Sequence, residues 1–138
     1  MAKKIRDAMT SNPKTVDQSA SIVEAARIMR DADTGVVPIV DGDRLVATVT
    51  DRDIAIRAIA EGKDPQGTKA IDVASKELVT IDPQQDLDEA LRLMARHQVR
   101  RLPVVEEDGK LVGIVAQADI AKHGEDAKTG EMVEQISK

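Results

Sequence analysis

The feature that most constrains this chain is an internal repeat with a shift of 65 residues. Pro38 in VVPIV aligns with Pro103 in RLPVV, and Thr15 aligns with Thr80 in the same register. One residue is inserted in the hairpin after Pro103, so that the shift becomes 66 in the remainder of the chain. The sequence therefore predicts two copies of one structural unit, each of about 60 residues.

Each copy predicts a β-α-β-β-α unit that follows a lead-in of one helical turn. Ser21 with Glu24, and Asp86 with Glu89, stand at the predicted N-cap and N3 positions of the first helices, and apolar residues recur at helical spacing after them. Turn residues separate two apolar runs in each hairpin. The lead-ins span 5–12 and 70–77, the first strands 14–16 and 78–81, the hairpin strands 36–40, 45–49, 102–105 and 110–115, and the second helices about 51–61 and 117–123.

These elements predict an α+β fold with domains at 5–62 and 70–123. The linker between the copies is too short to separate independent domains. A three-stranded layer with helices on one face leaves its other face apolar, so we expect the two units to pack together about a pseudo-twofold axis. The tail, 124–138, is polar apart from a short amphipathic piece at 132–136, and we expect it to be frayed.

Composition argues against several classes of function. The net charge of −5 provides no basic excess for binding nucleic acid or acidic membranes. No apolar run approaches the ~18 residues of a membrane span, and the N-terminal residues lack the apolar core of a signal peptide. We therefore expect a cytoplasmic protein. Aromatic residues are absent, so a purine pocket would have to use aliphatic side chains and backbone.

Catalysis and metal binding are also not expected. The chain has no Cys, and its two His residues, His97 and His123, form no cluster with metal-ligand spacing. The sequence contains neither a P-loop nor a Ser-centred nucleophile elbow. We therefore predict no catalytic residues and no metal.

The candidate functional residues lie where the strand 45–49 meets the following helix. Thr50 and Asp53 stand at this turn, where free backbone N–H groups and the positive end of a helix favour an anion. A carboxylate can also accept hydrogen bonds from two vicinal hydroxyls, which a ribose presents. However, Thr-x-x-Asp is equally the pattern of a helix capping box. These residues alone leave both interpretations open.

Both copies resemble a CBS (cystathionine β-synthase) domain. The resemblance is carried by the helices VEAARIM and DEALRLM, the strands GVVPIV and RRLPVV, and the turns TDRDI and QADI. Two such copies in tandem resemble a stand-alone bacterial Bateman module. The resemblance implies a homodimer that binds an adenine nucleotide (AMP, ADP, ATP or NAD) as a regulatory ligand in the cleft between repeats, without a cofactor. It also implies a signal to a protein partner that the sequence does not identify.

The resemblance implies that Asp53 holds the ribose hydroxyls and that Thr50 lies near the phosphate. The first predicted site comprises Lys14, Thr15, Val16, Thr34, Gly35, Val36, Val37, Pro38, Thr50, Arg52 and Asp53. A second, weaker site comprises Thr80, Arg100, Arg101, Leu102, Pro103 and Asp119.

The second site is predicted to be weaker because Ala116 replaces the Thr. Ala47, in place of the Gly seen at Gly113, is expected to narrow the first cleft, and the alternative is that only the Asp119 site opens wide enough. Arg52, Arg100 and Arg101 are candidates for phosphate contacts. The alternative for Arg100 and Arg101 is that they are ordinary surface ion-pair partners. A ligand-free structural module, with Thr50 and Asp53 serving only as a cap, is the alternative function.

Overall fold

The structure is a computed structural model that describes residues 3–123 of the 138. The predicted tail, 124–138, with its amphipathic piece at 132–136, lies outside the described residues. The named elements are α1 (Ile5–Ala8), β1 (Thr10–Ser11), β2 (Val16–Asp17), α2 (Ile22–Ala32), β3 (Val36–Asp41), β4 (Arg44–Thr50), α3 (Asp51–Ile54), a π-helical segment (Ala55–Ile59), α4 (Ala70–Val73), α5 (Leu87–His97), β5 (Arg101–Val105) and β6 (Leu111–Ala116). Residues 117–123 are helical.

The described residues form two compact units that do not coincide with the two sequence repeats. The repeat-1 unit comprises 13–78 together with 107–111. The repeat-2 unit comprises 3–12, 79–106 and 112–123. Each unit therefore contains the lead-in helix of the other repeat: α1 belongs to the repeat-2 unit and α4 to the repeat-1 unit.

The repeat-1 unit is built on a three-stranded sheet in the order β2-β3-β4. Strands β2 and β3 are parallel, whereas β3 and β4 form the predicted antiparallel hairpin. The segment after α4 completes this sheet, since the backbones of Thr48 and Ser75 exchange hydrogen bonds of 3.1 and 3.0 Å. The core is aliphatic and comprises Val16, Ala20, Ile22, Ala25, Met29, Val37, Ile39, Ala47, Val49, Ala58, Ala70, Val73 and Ala74.

The repeat-2 unit has a matching sheet in the order β1-β6-β5. Strand β1, from the N-terminal lead-in, pairs antiparallel with β6, with Thr10 opposite Ile114 and Ser11 opposite Gly113. The residue corresponding to the predicted first strand, Ile81, forms only an isolated parallel bridge with Val104. The core comprises Ile5, Ala8, Ile81, Leu87, Ala90, Met94, Leu102, Val104, Val115 and Ile120.

The expectation that Ala47 narrows a binding cleft is wrong. Ala47 is fully buried in the core, and by the alternation of β4 it lies on the opposite face from Thr50. At the matching position, a Cβ on Gly113 would lie 2.6 Å from Met9 Sδ. The residue aligned with Met9 is Ala74, which shares a core with Ala47. The repeat-2 unit thus has a Gly113–Met9 pair at the position where the repeat-1 unit has Ala47 and Ala74.

The helix predicted over 51–61 is not uniformly α-helical. It begins as α3 and widens into π geometry over Ala55–Ile59, where the Ala60 N–H donates to the Ala55 carbonyl at 2.9 Å. Only Ala58 in the π-helical segment is buried. Among the helices within residues 3–123, none is long and apolar enough to cross a membrane.

Candidate functional site

Three strand ends meet at one edge of the repeat-1 sheet. Because β2 and β3 are parallel and β4 is antiparallel to β3, the starts of β2 and β3 lie beside the end of β4. Val36 pairs directly with Thr50 at this edge. The predicted residues 14–15 precede β2, and 34–35 precede β3. The fold therefore brings the segments 14–15, 34–36 and 50–53 to the same edge.

Thr50 and Asp53 form a reciprocal capping box at the start of α3. The Asp53 N–H donates to Thr50 Oγ1 at 3.0 Å, and the Thr50 N–H donates to Asp53 Oδ2 at 3.0 Å. A Thr at the N-cap and an acidic residue three positions later satisfy two backbone donors that the helix itself leaves free. The capping interpretation is therefore correct for these two side chains.

The cap uses only part of the hydrogen-bonding capacity of the pair. Asp53 Oδ1 accepts no hydrogen bond from a described residue, and its ionic contact with Arg57 Nε is long, at 3.9 Å. The Asp53 side chain is 15% exposed, so solvent reaches it. The Thr50 hydroxyl accepts from Asp53 and keeps its own proton as a donor. One carboxylate oxygen and one hydroxyl proton remain for another molecule.

Two residues that the sequence analysis did not include lie beside this pair. Arg57 contacts the Asp53 carboxylate and places its Nη1 3.5 Å from the Val73 carbonyl. The i,i+4 spacing of Asp53 and Arg57 was the signal that could have identified it. Asp51 is the second such residue: a Cβ added to Gly35 would lie 3.0 Å from its Oδ2. No local pattern indicated that contact, because it depends on the pairing of β3 with β4.

The remaining predicted residues of the first site divide by burial. Lys14 and Arg52 are exposed, Thr15, Thr34, Gly35 and Val36 are half-buried, and Val16, Val37 and Pro38 are buried. Val16 and Val37 belong to the repeat-1 core. Thr34 Oγ1 accepts from the Val36 N–H at 3.4 Å, which holds the entry to β3. The charged residues Lys14 and Arg52 are thus the most open to solvent, and Val36 is the one aliphatic side chain of the set that is not buried.

The repeat-2 unit has an equivalent edge with different chemistry. The Gln117 N–H donates to the Arg100 carbonyl at 2.8 Å, as the Asp51 N–H does to the Gly35 carbonyl at 2.9 Å. Asp119 is half-buried, and no residue within 3–123 donates a hydrogen bond to its carboxylate. Ala116 supplies no hydroxyl to cap the helix start.

The other residues of the second predicted site lie around this edge. Thr80 and Pro103 are half-buried, Arg100 and Arg101 are exposed, and Leu102 is fully buried in the repeat-2 core. The backbone of Pro103 accepts a hydrogen bond from the Ile81 N–H at 3.1 Å, which brings Thr80 to the start of β5.

Curated relatives match most of this chain. The CBS domain-containing protein YhcV of Bacillus subtilis is 44% identical over 117 residues, covering 85% of this chain and 82% of YhcV. Hypoxic response protein 1 of Mycobacterium tuberculosis is 42% identical over 119 residues, covering 86% of this chain and 82% of that protein.

Solved structures with the same fold include ligand complexes. The CBS domain pair of protein MJ0100, in complex with 5-methylthioadenosine and S-adenosyl-L-methionine, is 27% identical with a TM-score of 0.80, covering 93% of this chain and all of that one. CBSX2 in complex with AMP is 26% identical with a TM-score of 0.80, covering 91% of this chain and 98% of that one.

A third solved structure, Hypoxic Response Protein I with two coordinated zinc ions, is 41% identical with a TM-score of 0.81, covering 88% of this chain and 98% of that one. The described part of the present chain does not fit such a metal centre. Within residues 3–123, no group of three or more His, Asp or Glu side chains is arranged to hold a metal ion, and the whole chain lacks Cys.

The CBS domain family model matches the chain twice, at residues 5–59 and 70–126. Together these two segments span most of the sequence. The α+β folds of both units and the high structural similarity to CBS-pair proteins agree with this match. The chain therefore belongs to the CBS domain family and carries two CBS domains in tandem.

Proposed function

We propose that this chain is a regulatory module that binds an adenine nucleotide, AMP, ADP, ATP or NAD, and reports its presence to a protein partner. The observation that carries the proposal is the Asp53 carboxylate, whose Oδ1 is left free by the capping box while the side chain stays 15% exposed. In this proposal Asp53 has two roles: Oδ2 caps α3, and Oδ1 accepts from a ribose hydroxyl. The module has no catalytic role.

The neighbouring groups suit the rest of a nucleotide. The Thr50 hydroxyl proton can be donated to a phosphate oxygen, and the exposed Arg52 supplies a cation within the same turn. The three ligands named in the MJ0100 and CBSX2 structures, 5-methylthioadenosine, S-adenosyl-L-methionine and AMP, all contain adenosine. This shared group supports an adenosyl ligand for the present chain.

Asp53→Asn is the sharpest test of this proposal. An asparagine retains one carbonyl oxygen that can accept from the Thr50 N–H, so the cap is kept, but it loses the second carboxylate oxygen and the charge. By isothermal titration calorimetry with AMP and ATP, we expect Asp53→Asn to weaken binding at its site about 10- to 100-fold, the loss typical of a hydrogen bond to a charged group.

A matched control separates ligand binding from capping. Ser21 caps α2 by accepting from the Glu24 N–H at 3.2 Å, so Ser21→Ala removes a comparable cap elsewhere in the same unit. We expect Ser21→Ala to lower stability without changing nucleotide affinity. Equal affinity in Asp53→Asn and wild type would contradict the proposed role of Asp53, and absence of any adenosyl binding at millimolar concentration would contradict the proposed function itself.

A ligand-free interaction module is the second candidate function, and a surface groove favours it. The groove has a volume of about 310 Å³ and lies between α2, the helix 51–59 and Pro65. Its lining is mainly aliphatic: Ile22, Val23, Ala26, Ile54, Ile59 and Pro65, with Arg27 and Arg30. Ile56 and Ile59 are 51% and 55% exposed. Ile59 also lines the groove, and an apolar groove that continues onto an exposed aliphatic side chain suits a protein–protein contact.

We propose that this apolar surface contributes to a homodimer. Ile59→Lys would place a charge in the contact, so we expect it to shift the chain toward monomer in sedimentation equilibrium, while Leu78→Lys, at another exposed aliphatic residue, would not. Unchanged mass for Ile59→Lys would contradict a dimer through this surface. If the dimer is lost while nucleotide binding persists, the two functions are separate.

A further inference from the structure

The two equivalent sheet edges differ strongly in charge. The loop joining the first helix to the hairpin, with its flanks, spans 30–36 in the repeat-1 unit and aligns with 95–101 in the repeat-2 unit. The first segment contains one arginine and two aspartates, whereas the second contains three arginines, one histidine and no carboxylate. We call residues 96–101 the basic turn. Arg30 and Asp31 pair at 2.8 Å, and Asp33 has no ion-pair partner among residues 3–123.

A shared backbone hydrogen bond places the two loops against the same helix start in both units. The N–H of the first helical residue donates to the Gly35 carbonyl in the repeat-1 unit and to the Arg100 carbonyl in the repeat-2 unit. In the repeat-1 unit, the Asp51 carboxylate lies against Gly35, 3.0 Å from where a Cβ would stand. The repeat-2 unit has Arg100 and the uncharged Gln117 at these positions. The repeat-1 edge thus has an additional carboxylate, and the repeat-2 edge has an additional cation. The repeat-1 edge also carries two exposed cations, Lys14 and Arg52.

The cations of the basic turn have no protein partner in the described part of the chain. Arg96, Arg100 and Arg101 are exposed, and none forms an ion pair with another residue within 3–123. At the same edge, the Asp119 carboxylate accepts no hydrogen bond from any residue within 3–123, whereas the Asp53 carboxylate is partly used by its cap. The repeat-2 edge thus offers an acceptor for a diol and free guanidinium groups for an anion.

We propose that the two edges select adenosyl ligands by charge. The Asp119 edge takes a nucleoside di- or triphosphate, with its ribose at Asp119 and its phosphate chain on the basic turn. The Thr50 edge binds a polyphosphate chain less strongly, because the Asp51 carboxylate there opposes the attraction that Lys14 and Arg52 exert on phosphate. Guanidinium groups bind phosphate in a bidentate manner, which gives this selection its chemical basis. This inference rests on the proposed function. It predicts that the edge with the higher affinity differs from one adenosyl ligand to another.

The test uses the full chain with one edge disabled at a time. In Asp53→Asn, where the Asp119 edge remains, we expect calorimetry in EDTA to give ATP at least about tenfold tighter binding than adenosine. That preference should shrink as salt concentration rises, because part of it is electrostatic. In Asp119→Asn, where the Thr50 edge remains, we expect the preference for ATP over adenosine to be several-fold smaller than in Asp53→Asn.

Matched arginine variants assign the preference to the basic turn. Combined with Asp53→Asn, Arg100→Gln should lose most of the preference for ATP, while Arg92→Gln, at an exposed arginine paired with Glu89 on α5, should retain it. Equal ATP and adenosine affinities in Asp53→Asn, or a preference unaffected by Arg100→Gln, would overturn this inference while leaving adenosyl binding in place. If wild type binds neither adenosine nor ATP, the proposed function fails and this inference fails with it.

Discussion

Thr50 and Asp53 cap each other through two hydrogen bonds of 3.0 Å, each from a backbone N–H of one residue to a side-chain oxygen of the other, and the equivalent pair in the second repeat, Ala116 and Asp119, does not. The difference is one hydroxyl group at the N-cap. The Asp53 carboxylate is partly engaged in holding a helix start, whereas the Asp119 carboxylate accepts no hydrogen bond from residues 3–123. The two repeats therefore present the same carboxylate in two different hydrogen-bonding states.

The first prediction concerns these caps. Thr50→Ala should lower the free energy of unfolding by about 1 kcal/mol, and Thr50→Ser should have little effect because it keeps the hydroxyl. Ala116→Thr should raise it by about 0.5–1 kcal/mol by supplying the missing cap. Urea denaturation measures all three. A destabilising Ala116→Thr would show that the second helix start cannot accept a reciprocal cap.

The second prediction concerns the close contact at Gly113. A Cβ there would lie 2.6 Å from Met9 Sδ and 2.9 Å from the Thr10 carbonyl oxygen, so Gly113→Ala should cost about 1–3 kcal/mol. Adding Met9→Ala should recover part of this cost, because it recreates the Ala47–Ala74 arrangement of the other unit. A double-mutant cycle by urea denaturation should give a favourable coupling of at least about 0.5 kcal/mol. Additive effects would contradict a steric contact between a side chain at position 113 and Met9.

The third prediction concerns the C-cap of α5. Gln98 adopts a left-handed conformation with φ of 55°, which costs a residue with a side chain more than it costs glycine. Gln98→Gly should therefore raise the unfolding free energy by about 0.5–1 kcal/mol. Ala95→Gly, inside the same helix, serves as the control and should lower it by about 1 kcal/mol. Thermal and urea denaturation should show changes in the unfolding free energy of opposite sign for the two variants.

The fourth prediction concerns pH. The Ser19 hydroxyl and the Ser19 N–H both donate to Asp17 Oδ2, and these bonds lower the pKa of the Asp17 carboxyl. A lowered folded-state pKa contributes stability above the unfolded value of about 3.9, and that contribution is lost as the pH falls through the folded value. Ser19→Ala should therefore be less stable than wild type at pH 7, and the difference should shrink below about pH 4. A difference that stays constant between pH 7 and pH 3 would contradict this assignment.

Local patterns predicted the main helices and hairpins well. The apolar spacing and Ser21 placed α2 correctly, and the Ser21 side chain does accept from the Glu24 N–H. Asp86 stands at the N-cap of α5 as predicted but makes no capping bond through its side chain. The π-helical geometry of Ala55–Ile59 was not predicted, because an alanine and isoleucine pattern is compatible with either helix type.

The candidate site was predictable only in part. Thr50 and Asp53 follow from the Thr-x-x-Asp spacing, since a cap involves residues three positions apart on one turn. The contact between Gly35 and Asp51 could not be predicted in this way, because the two residues flank β3 and β4, whose register is set by the hairpin. The ligand roles of the site residues stay predictions that the binding experiments above will test.

The sequence by itself determined that the chain contains two copies of an aliphatic α+β unit, because hydrophobic spacing, caps and turns act over a few residues and occur twice in register. Only the tertiary structure decided which lead-in completes which sheet. Both lead-ins form one helical turn and an extended segment, so their local patterns are alike. The choice depends on long-range pairing, Thr10 with Ile114 and Ser75 with Thr48, and on the space that Gly113 leaves for Met9.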